Sequence, residues 1–334
     1  MNEPEPPSQQ KILVIRFSSI GDIVLTTPVI RSLKKQLNAD VHVVVKKSYR
    51  HLLEANPYVS KIHLFNGDLQ ALTQELQQEN FNFVVDLQNN ARSHKLTRKL
   101  ACPSRTFPKL NIKKMILVRA KINFLPNLHI VDRYFKATEP LGAKSDGEGL
   151  DYFIPADEEF DTQDLPAGFE NGYVAVAIGA QHATKRIPTE KIIEIGNQIF
   201  KPMVLLGDKN DFEKGEEIVA ALGEKALNYC GKCSLHTSAS IVRQSDCVLT
   251  ADTGLMHIAA ALRKPIASLW GNTVPEFGMY PFTALDAPVA RIFETPYLKC
   301  RPCSKLGFNR CPHRNFKCMN NISSHDVANW INQY

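Results

Sequence analysis

Two successive series of strand-like and helix-like segments constrain this chain more than any other feature. The first opens at Lys11–Leu37, KILVIRFSSIGDIVLTTPVIRSLKKQL. Lys11–Phe17 is a short β-favouring apolar run, the pattern of a strand buried on both faces of a parallel sheet. Ser18, Ser19, Ile20, Gly21 and Asp22 supply turn and cap chemistry, and Ile23–Leu37 places Ile23, Ile30, Leu33 and Leu37 at helical spacing. The pattern predicts further strands at Asp40–Lys46, Ser60–Phe65 and Asn82–Leu87, and helices at Leu69–Gln78, Ala91–Leu100 and Val131–Leu141. Asn111–Pro126 is basic, lacks a clean period and reads as a loop or short helices.

Lys144–Asn171 is rich in Asp, Glu, Gly and Pro and reads as a linker with one embedded strand, Leu150–Ile154. The alternation then restarts, with strands expected at Tyr173–Ile178, Met203–Leu206, Cys247–Thr250 and Ile266–Trp270. Helices are expected at Pro188–Phe200, Phe212–Leu222, Ser234–Gln244 and Gly254–Leu262. A length of 334 residues suits two cores. The fold class is therefore α/β, with two Rossmann-like domains facing each other across a cleft. Their expected bounds are 11–150 and 172–320, with a linker at 151–171, a C-terminal helix at 321–334 and a disordered lead at 1–10.

Hydrophobic content of 44% and charged content of 22% are globular values. No apolar run approaches the ~18 residues of a membrane span, and MNEPEPPSQQ has no signal-peptide pattern. The expected location is cytoplasmic. Net charge is +6, and its placement is uneven: Leu87–Val131 contains ten Lys or Arg and no Asp or Glu. That asymmetry favours an anionic partner such as nucleic acid, a membrane surface or a phosphorylated substrate, against the plainer reading of a basic surface loop.

No GxGxxG, GxxxxGK[ST], GxSxG or HExxH is present, which disfavours dinucleotide dehydrogenases, P-loop NTPases, serine hydrolases and zincins. Three other constellations carry chemistry. In Ala251–His257 (ADTGLMH), Asp252 and Thr253 are N-cap types and Gly254 admits close approach to the backbone. The helix start thereby offers an anion site, with His257 one turn in; an ordinary cap with a buried His is the structural alternative. Gly179–Pro188 (GAQHATKRIP) also joins a strand to a helix, and Thr184 and Lys185 offer a hydroxyl and a point charge to phosphate. Both loops lie at strand carboxyl ends and together could hold a nucleotide diphosphate. The third is Cys300-x2-Cys303-x7-Cys311-x6-Cys318, whose spacing is compatible with a structural zinc, with reduced thiols or with a redox pair. Asp22, at the carboxyl end of the first strand, either caps the helix or serves catalysis.

SSIGDIVLTTPVIRSLK, KRIPTEK and ADTGLMHIAAALRKPIASLWG, in this order, resemble glycosyltransferase family 9, the lipopolysaccharide heptosyltransferases. The resemblance implies the GT-B fold, with acceptor held by the first domain and nucleotide-sugar by the second. It implies inverting, metal-independent transfer, typically of heptose from ADP-heptose to the lipopolysaccharide core. Asp22 then matches the general base, and Lys185 the lysine that meets the diphosphate. Thr253, Gly254 and Leu255 match the phosphate-binding helix start, with Asp252, Thr184 and His257 beside it. Ser19, Gly21, Arg92, Lys95 and Arg98 are the expected acceptor contacts, for an anionic lipid-linked glycan at the cytoplasmic face of the inner membrane. No cofactor is implied, apart from the zinc raised by the cysteine spacing. Rival readings are a non-catalytic family member and a nucleic-acid-binding protein using residues 92–121; the latter has little aromatic interleaving (Phe107, Phe124) and no recognised motif.

Overall fold

A computed structural model describes residues 9–334, so most of the expected lead at 1–10 lies outside the described residues. The described residues form two compact units, residues 9–109 with 130–153, and residues 110–129 with 154–334.

The first unit holds a five-stranded sheet in the order β3-β2-β1-β4-β5. Its strands are β1 (Lys11–Ile15), β2 (Asp40–Lys46), β3 (Lys61–Phe65), β4 (Phe83–Asp86) and β5 (Ser104–Thr106), and every pairing is parallel. Parallel strands need crossover connections, which cover both sheet faces and make the central strands apolar throughout. Accordingly Ile12, Leu13, Val14 and Ile15 are all fully buried. Strand order reverses at β1, whose neighbours are β2 and β4, so the carboxyl end of β1 is a topological switch point. Asp22 follows that end.

The helix expected at Ile23–Leu37 is two helices, Ile20–Val24 and Thr27–Leu37. Pro28 has no N–H to give the carbonyl of Val24; the Thr27 hydroxyl donates to it instead, at 2.8 Å. The Thr26 hydroxyl takes the carbonyl of Ile23 at 2.7 Å. The strand expected at Leu150–Ile154 is absent. Side chains hold that segment in place of a ladder: Arg31, which is buried, pairs with Asp146 and Asp151 and donates to the Gly149 carbonyl, and the Asp151 amide donates to Thr27 Oγ1.

The second unit holds a six-stranded parallel sheet in the order β11-β10-β9-β6-β7-β8. The strands are β6 (Val174–Ala177), β7 (Met203–Leu206), β8 (Ala226–Asn228), β9 (Cys247–Ala251), β10 (Ile266–Trp270) and β11 (Ala290–Glu294). The edge strands β8 and β11 are additional to those read from sequence, as is β5 in the first unit. Order reverses between β6 and β9, and both constellations read from sequence, 179–188 and 251–257, leave the sheet at that switch point. The C-terminal helix spans Ser324–Ile331 and packs Val327, Ala328 and Trp330 into the core beneath β10.

Residues 110–129 belong with the second unit, whereas the expected first domain ran unbroken to 150. Asn111–Ala120 is a helix. The Lys121 ammonium donates to the carbonyls of Val118, Cys300 and Pro302 at 2.8, 3.3 and 2.7 Å, which ties this excursion to the C-terminal tail. The basic stretch read as one feature is thus divided: Arg92, Lys95 and Arg98 lie in one unit, and Lys113 to Lys121 in the other.

Candidate active site

In the first unit the site is built on a buried arginine. Arg16 follows the last residue of β1, and its guanidinium meets four acceptors. Nε donates to Ser18 O at 2.9 Å, Nη1 to Leu87 O at 2.6 Å and to the Tyr134 hydroxyl at 3.0 Å, and Nη2 stands 2.6 Å from Asp22 Oδ1. Asp22 also accepts from the Ser19 hydroxyl at 2.9 Å and, more weakly, from the Ser19 amide at 3.4 Å. The backward reach to Ser19 is capping chemistry, so the capping and catalytic readings of Asp22 are compatible. Burial works against the Asp22 charge, but Arg16 and the Ser19 donors outweigh it and hold the carboxyl below the ordinary aspartate range. Its side chain stays 26% exposed, so the ionised carboxylate is accessible. Burial pushes the Tyr134 phenol up, which keeps it a neutral acceptor for Arg16.

Ser19 is half-buried and Gly21 is buried beside Asp22. Arg92, Lys95 and Arg98 lie on the exposed side of helix Ala91–Leu100, whose start is capped by Asn90. The fully buried Asp86 secures that entry by accepting from the Gln88 and Asn89 amides and from the Ser93 hydroxyl. Three basic side chains thus project from a rigidly anchored helix of the same unit as Asp22.

In the second unit the two loops meet directly. Lys185 Nζ lies 2.6 Å from Asp252 Oδ2, and the Thr273 hydroxyl donates to the same oxygen at 2.8 Å. Thr253 caps helix Gly254–Ala261, with Oγ1 3.4 Å from the Met256 amide and 3.2 Å from the Thr250 hydroxyl. The first-turn amides of Gly254 and Leu255 stand at the positive end of the helix dipole. His257 is buried within that helix. The Thr184 hydroxyl is engaged with the main chain of Phe308, accepting from its amide at 2.8 Å and donating to its carbonyl at 3.2 Å. Thr184 therefore holds the loop to the tail, and Lys185 is the group that loop presents.

Arg16 and Arg301 are the residues of the candidate site that sequence reasoning missed. Arg301 Nε donates to Gly271 O at 2.6 Å, and Nη2 donates to Thr273 O at 3.0 Å and pairs with Glu294 at 2.6 Å. It braces the turn that carries Thr273, and through it Asp252 and Lys185. The signal for Arg16 was present: a cation directly after four buried apolar residues needs an internal partner.

The tail bearing Cys300, Cys303, Cys311 and Cys318 does not assemble a zinc site, a correction to the cysteine-spacing expectation. Four sulfurs on one zinc, with bonds of about 2.3 Å, stand about 3.8 Å apart. Among the described residues no three of these thiols lie within 4.8 Å of one another, and the group that meets this distance is His42, His63 and Glu79. The Cys303 thiol donates to the Cys300 carbonyl instead, and Cys318 packs in the core. Burial pushes Cys303 up to about 11 and Cys318 to about 12. The tail's work is to supply Arg301 and Phe308 to the two loops.

Residues 69–305 match the sequence profile of glycosyltransferase family 9 (heptosyltransferase). Lipopolysaccharide heptosyltransferase 2 of Salmonella typhimurium is 26% identical over 319 residues, 87% of this chain and 90% of that protein. Lipopolysaccharide heptosyltransferase 1 of Campylobacter coli is 23% identical over 79% of this chain and 84% of that protein. Among solved structures, the family 9 glycosyltransferase of Veillonella parvula matches with a TM-score of 0.76 at 21% identity, covering 97% of this chain and 96% of that one. The E. coli ADP-heptose lps heptosyltransferase II matches at 0.73 and 21% identity, covering 97% and 98%. The two Rossmann-like sheets are those of the GT-B fold. The chain belongs to glycosyltransferase family 9, the heptosyltransferase family, and is a glycosyltransferase.

Proposed function

We propose that this glycosyltransferase moves heptose from ADP-heptose to a hydroxyl of the lipopolysaccharide core, with inversion and without a metal. The observation that carries the reading is the Lys185–Asp252 pair at the amino end of helix Gly254–Ala261. A point cation beside helix-start amides suits a diphosphate, and charge developing on the departing ADP oxygen is stabilised there as the bond to sugar C1 breaks. Asp252, held by Thr273, aims Lys185; the donor phosphates would draw the ammonium to themselves.

Asp22 takes the proton of the attacking hydroxyl in this reading. A carboxylate held below the ordinary range is a weak base, yet the demand on it is modest. In an oxocarbenium-like transition state the acceptor oxygen becomes strongly acidic as its bond to C1 forms, so even a weakly basic carboxylate can take the proton within that transition state. Depression by Arg16 favours the ionised Asp22 that a base requires. Arg92, Lys95 and Arg98 are assigned to anionic groups of the acceptor, with Ser19 and Gly21 lining the approach to Asp22. Among the described residues no helix is long and apolar enough to cross a membrane; access to a lipid-linked acceptor is proposed through peripheral contact with the inner membrane.

The test is transfer by the purified chain from ADP-heptose to heptose-deficient core lipopolysaccharide, with a chelator present. A product of inverted anomeric configuration is expected. Absence of transfer from ADP-heptose alongside turnover of another nucleotide-sugar would replace the donor assignment, and a strict requirement for added divalent cation would overturn the metal-independent mechanism.

A further inference from the structure

His42 and His63 form a buried pair on β2 and β3, remote in sequence from the residues assigned to transfer. In the parallel register His42 faces Lys61 and Val44 faces His63, which puts the two imidazoles diagonally on one face of the sheet. Each ring has a carboxylate at its outward nitrogen: Asp40 Oδ2 is 3.2 Å from His42 Nε2, and Glu75 meets His63 Nδ1. A neutral imidazole carries a single N–H, and a carboxylate can only accept it. With both rings neutral, that assigns the outward nitrogens as the donors and leaves His42 Nδ1 and His63 Nε2, 3.0 Å apart, without a hydrogen. Two bare nitrogens at that separation call for a cation that both can reach, a shared proton on the line between them or a metal ion to one side of it.

Glu79, which follows helix Leu69–Gln78, converges on the same point. Its Oε2 lies 3.9 Å from His42 Nδ1, and the three ligand atoms are within 4.8 Å of one another. Ligand atoms bonded at about 2.1 Å to a tetrahedral ion stand about 3.4 Å apart, between the 3.0 and 3.9 Å found here. Lys11 donates at 2.9 Å to the same oxygen, Oε2, which keeps one lone pair for the ion, and Lys61 donates to Oε1. Phe81 packs edge-on against both rings, at 5.2 and 6.1 Å, and fixes their planes. Carboxylates on the far nitrogens of paired histidines are the outer-shell arrangement that orients metal-ligating imidazoles.

We propose that His42, His63 and Glu79 form a structural site for a divalent transition cation of the Zn2+ class. The ion fastens the edge strand β3 to β2 and to the end of the following helix. Two imidazoles and one carboxylate suit such an ion better than Ca2+ or Mg2+, which prefer oxygen alone. A single proton shared by the two rings is the competing cation.

The test is Co2+ and then Zn2+ titration of the chelator-stripped, full-length protein. One equivalent is expected to bind with ligand-field absorption but no thiolate charge-transfer band, which separates it from the cysteines. Zn2+ is expected to raise the melting temperature. His42→Gln and His63→Gln should each weaken Zn2+ binding at least tenfold. Glu79→Gln, at a more accessible position, keeps the test decisive if a histidine variant fails to fold, and should also weaken binding about tenfold or more. Unchanged Zn2+ affinity in the variants, or a wild-type protein that takes up ions at its thiols alone and retains a proton between the rings, overturns the proposal.

Discussion

Arg16 Nη2 stands 2.6 Å from Asp22 Oδ1, and three further hydrogens of that guanidinium are fixed by Ser18, Leu87 and Tyr134. The carboxylate proposed as base is thereby held in place and held ionised by one buried cation. Removing the cation should change protonation as well as position.

Arg16→Met should therefore raise the Asp22 pKa and move the acidic limb of the kcat/KM profile to higher pH. The stability contributed by the depressed carboxyl is fully present above its unfolded value near 3.8 and is lost as pH falls through the lower folded value. In Arg16→Met that acid-side loss should shrink. Removing one partner of a buried pair costs about 3–5 kcal/mol, so thermal unfolding should fall several degrees as well. A pH–rate profile that keeps its acidic limb in the variant would sever Arg16 from Asp22.

Lys185→Ala should weaken ADP binding by about 10- to 100-fold, the loss of a charge-assisted contact worth about 1.5–3 kcal/mol. Calorimetric titration with ADP checks this, and unchanged affinity would remove Lys185 from the diphosphate site.

Arg301→Lys should weaken ADP binding nearly as much as Arg301→Ala. The planar fork reaches Gly271, Thr273 and Glu294 together, and a single ammonium cannot replace it. Full rescue by lysine would show that charge alone matters at this position.

Cys311 should be the first tail thiol alkylated and Cys318 the last. Burial opposes the Cys311 thiolate, but the amides of Phe316, His313, Asn315 and Arg314 outweigh it and hold the thiol below its ordinary value, whereas Cys318 is pushed up to about 12. Mass-resolved iodoacetamide labelling gives the order, and protection of all four thiols would point to a ligand held in common.

Much of the fold was legible because parallel strands buried on both faces declare themselves as apolar runs. Asp40–Lys46, Met203–Leu206 and Ile266–Trp270 carry unmixed signals of that kind, and Leu69–Gln78 the spacing of an amphipathic helix; all four appear with those bounds. Edge strands β5, β8 and β11 were hidden because one-sided burial of a few residues leaves little pattern. Breaks set by a hydroxyl, as at Thr26 and Thr27, are invisible to periodicity. Lys185 and Asp252 were both read from their loops, while their direct pairing was not. Arg301 was missed because the cysteines around it suggested metal, and its work depends on carbonyls some 30 residues earlier.

The central claim is that Asp22 removes the acceptor proton while the Lys185 loop and helix start hold the donor. Asp22→Asn, nearly isosteric, tests it most directly through the transfer rate from ADP-heptose and the ADP affinity of the same preparation. The account predicts a rate lowered about 10²- to 10⁴-fold with ADP affinity within about twofold of wild type. Transfer at the wild-type rate by Asp22→Asn would contradict it.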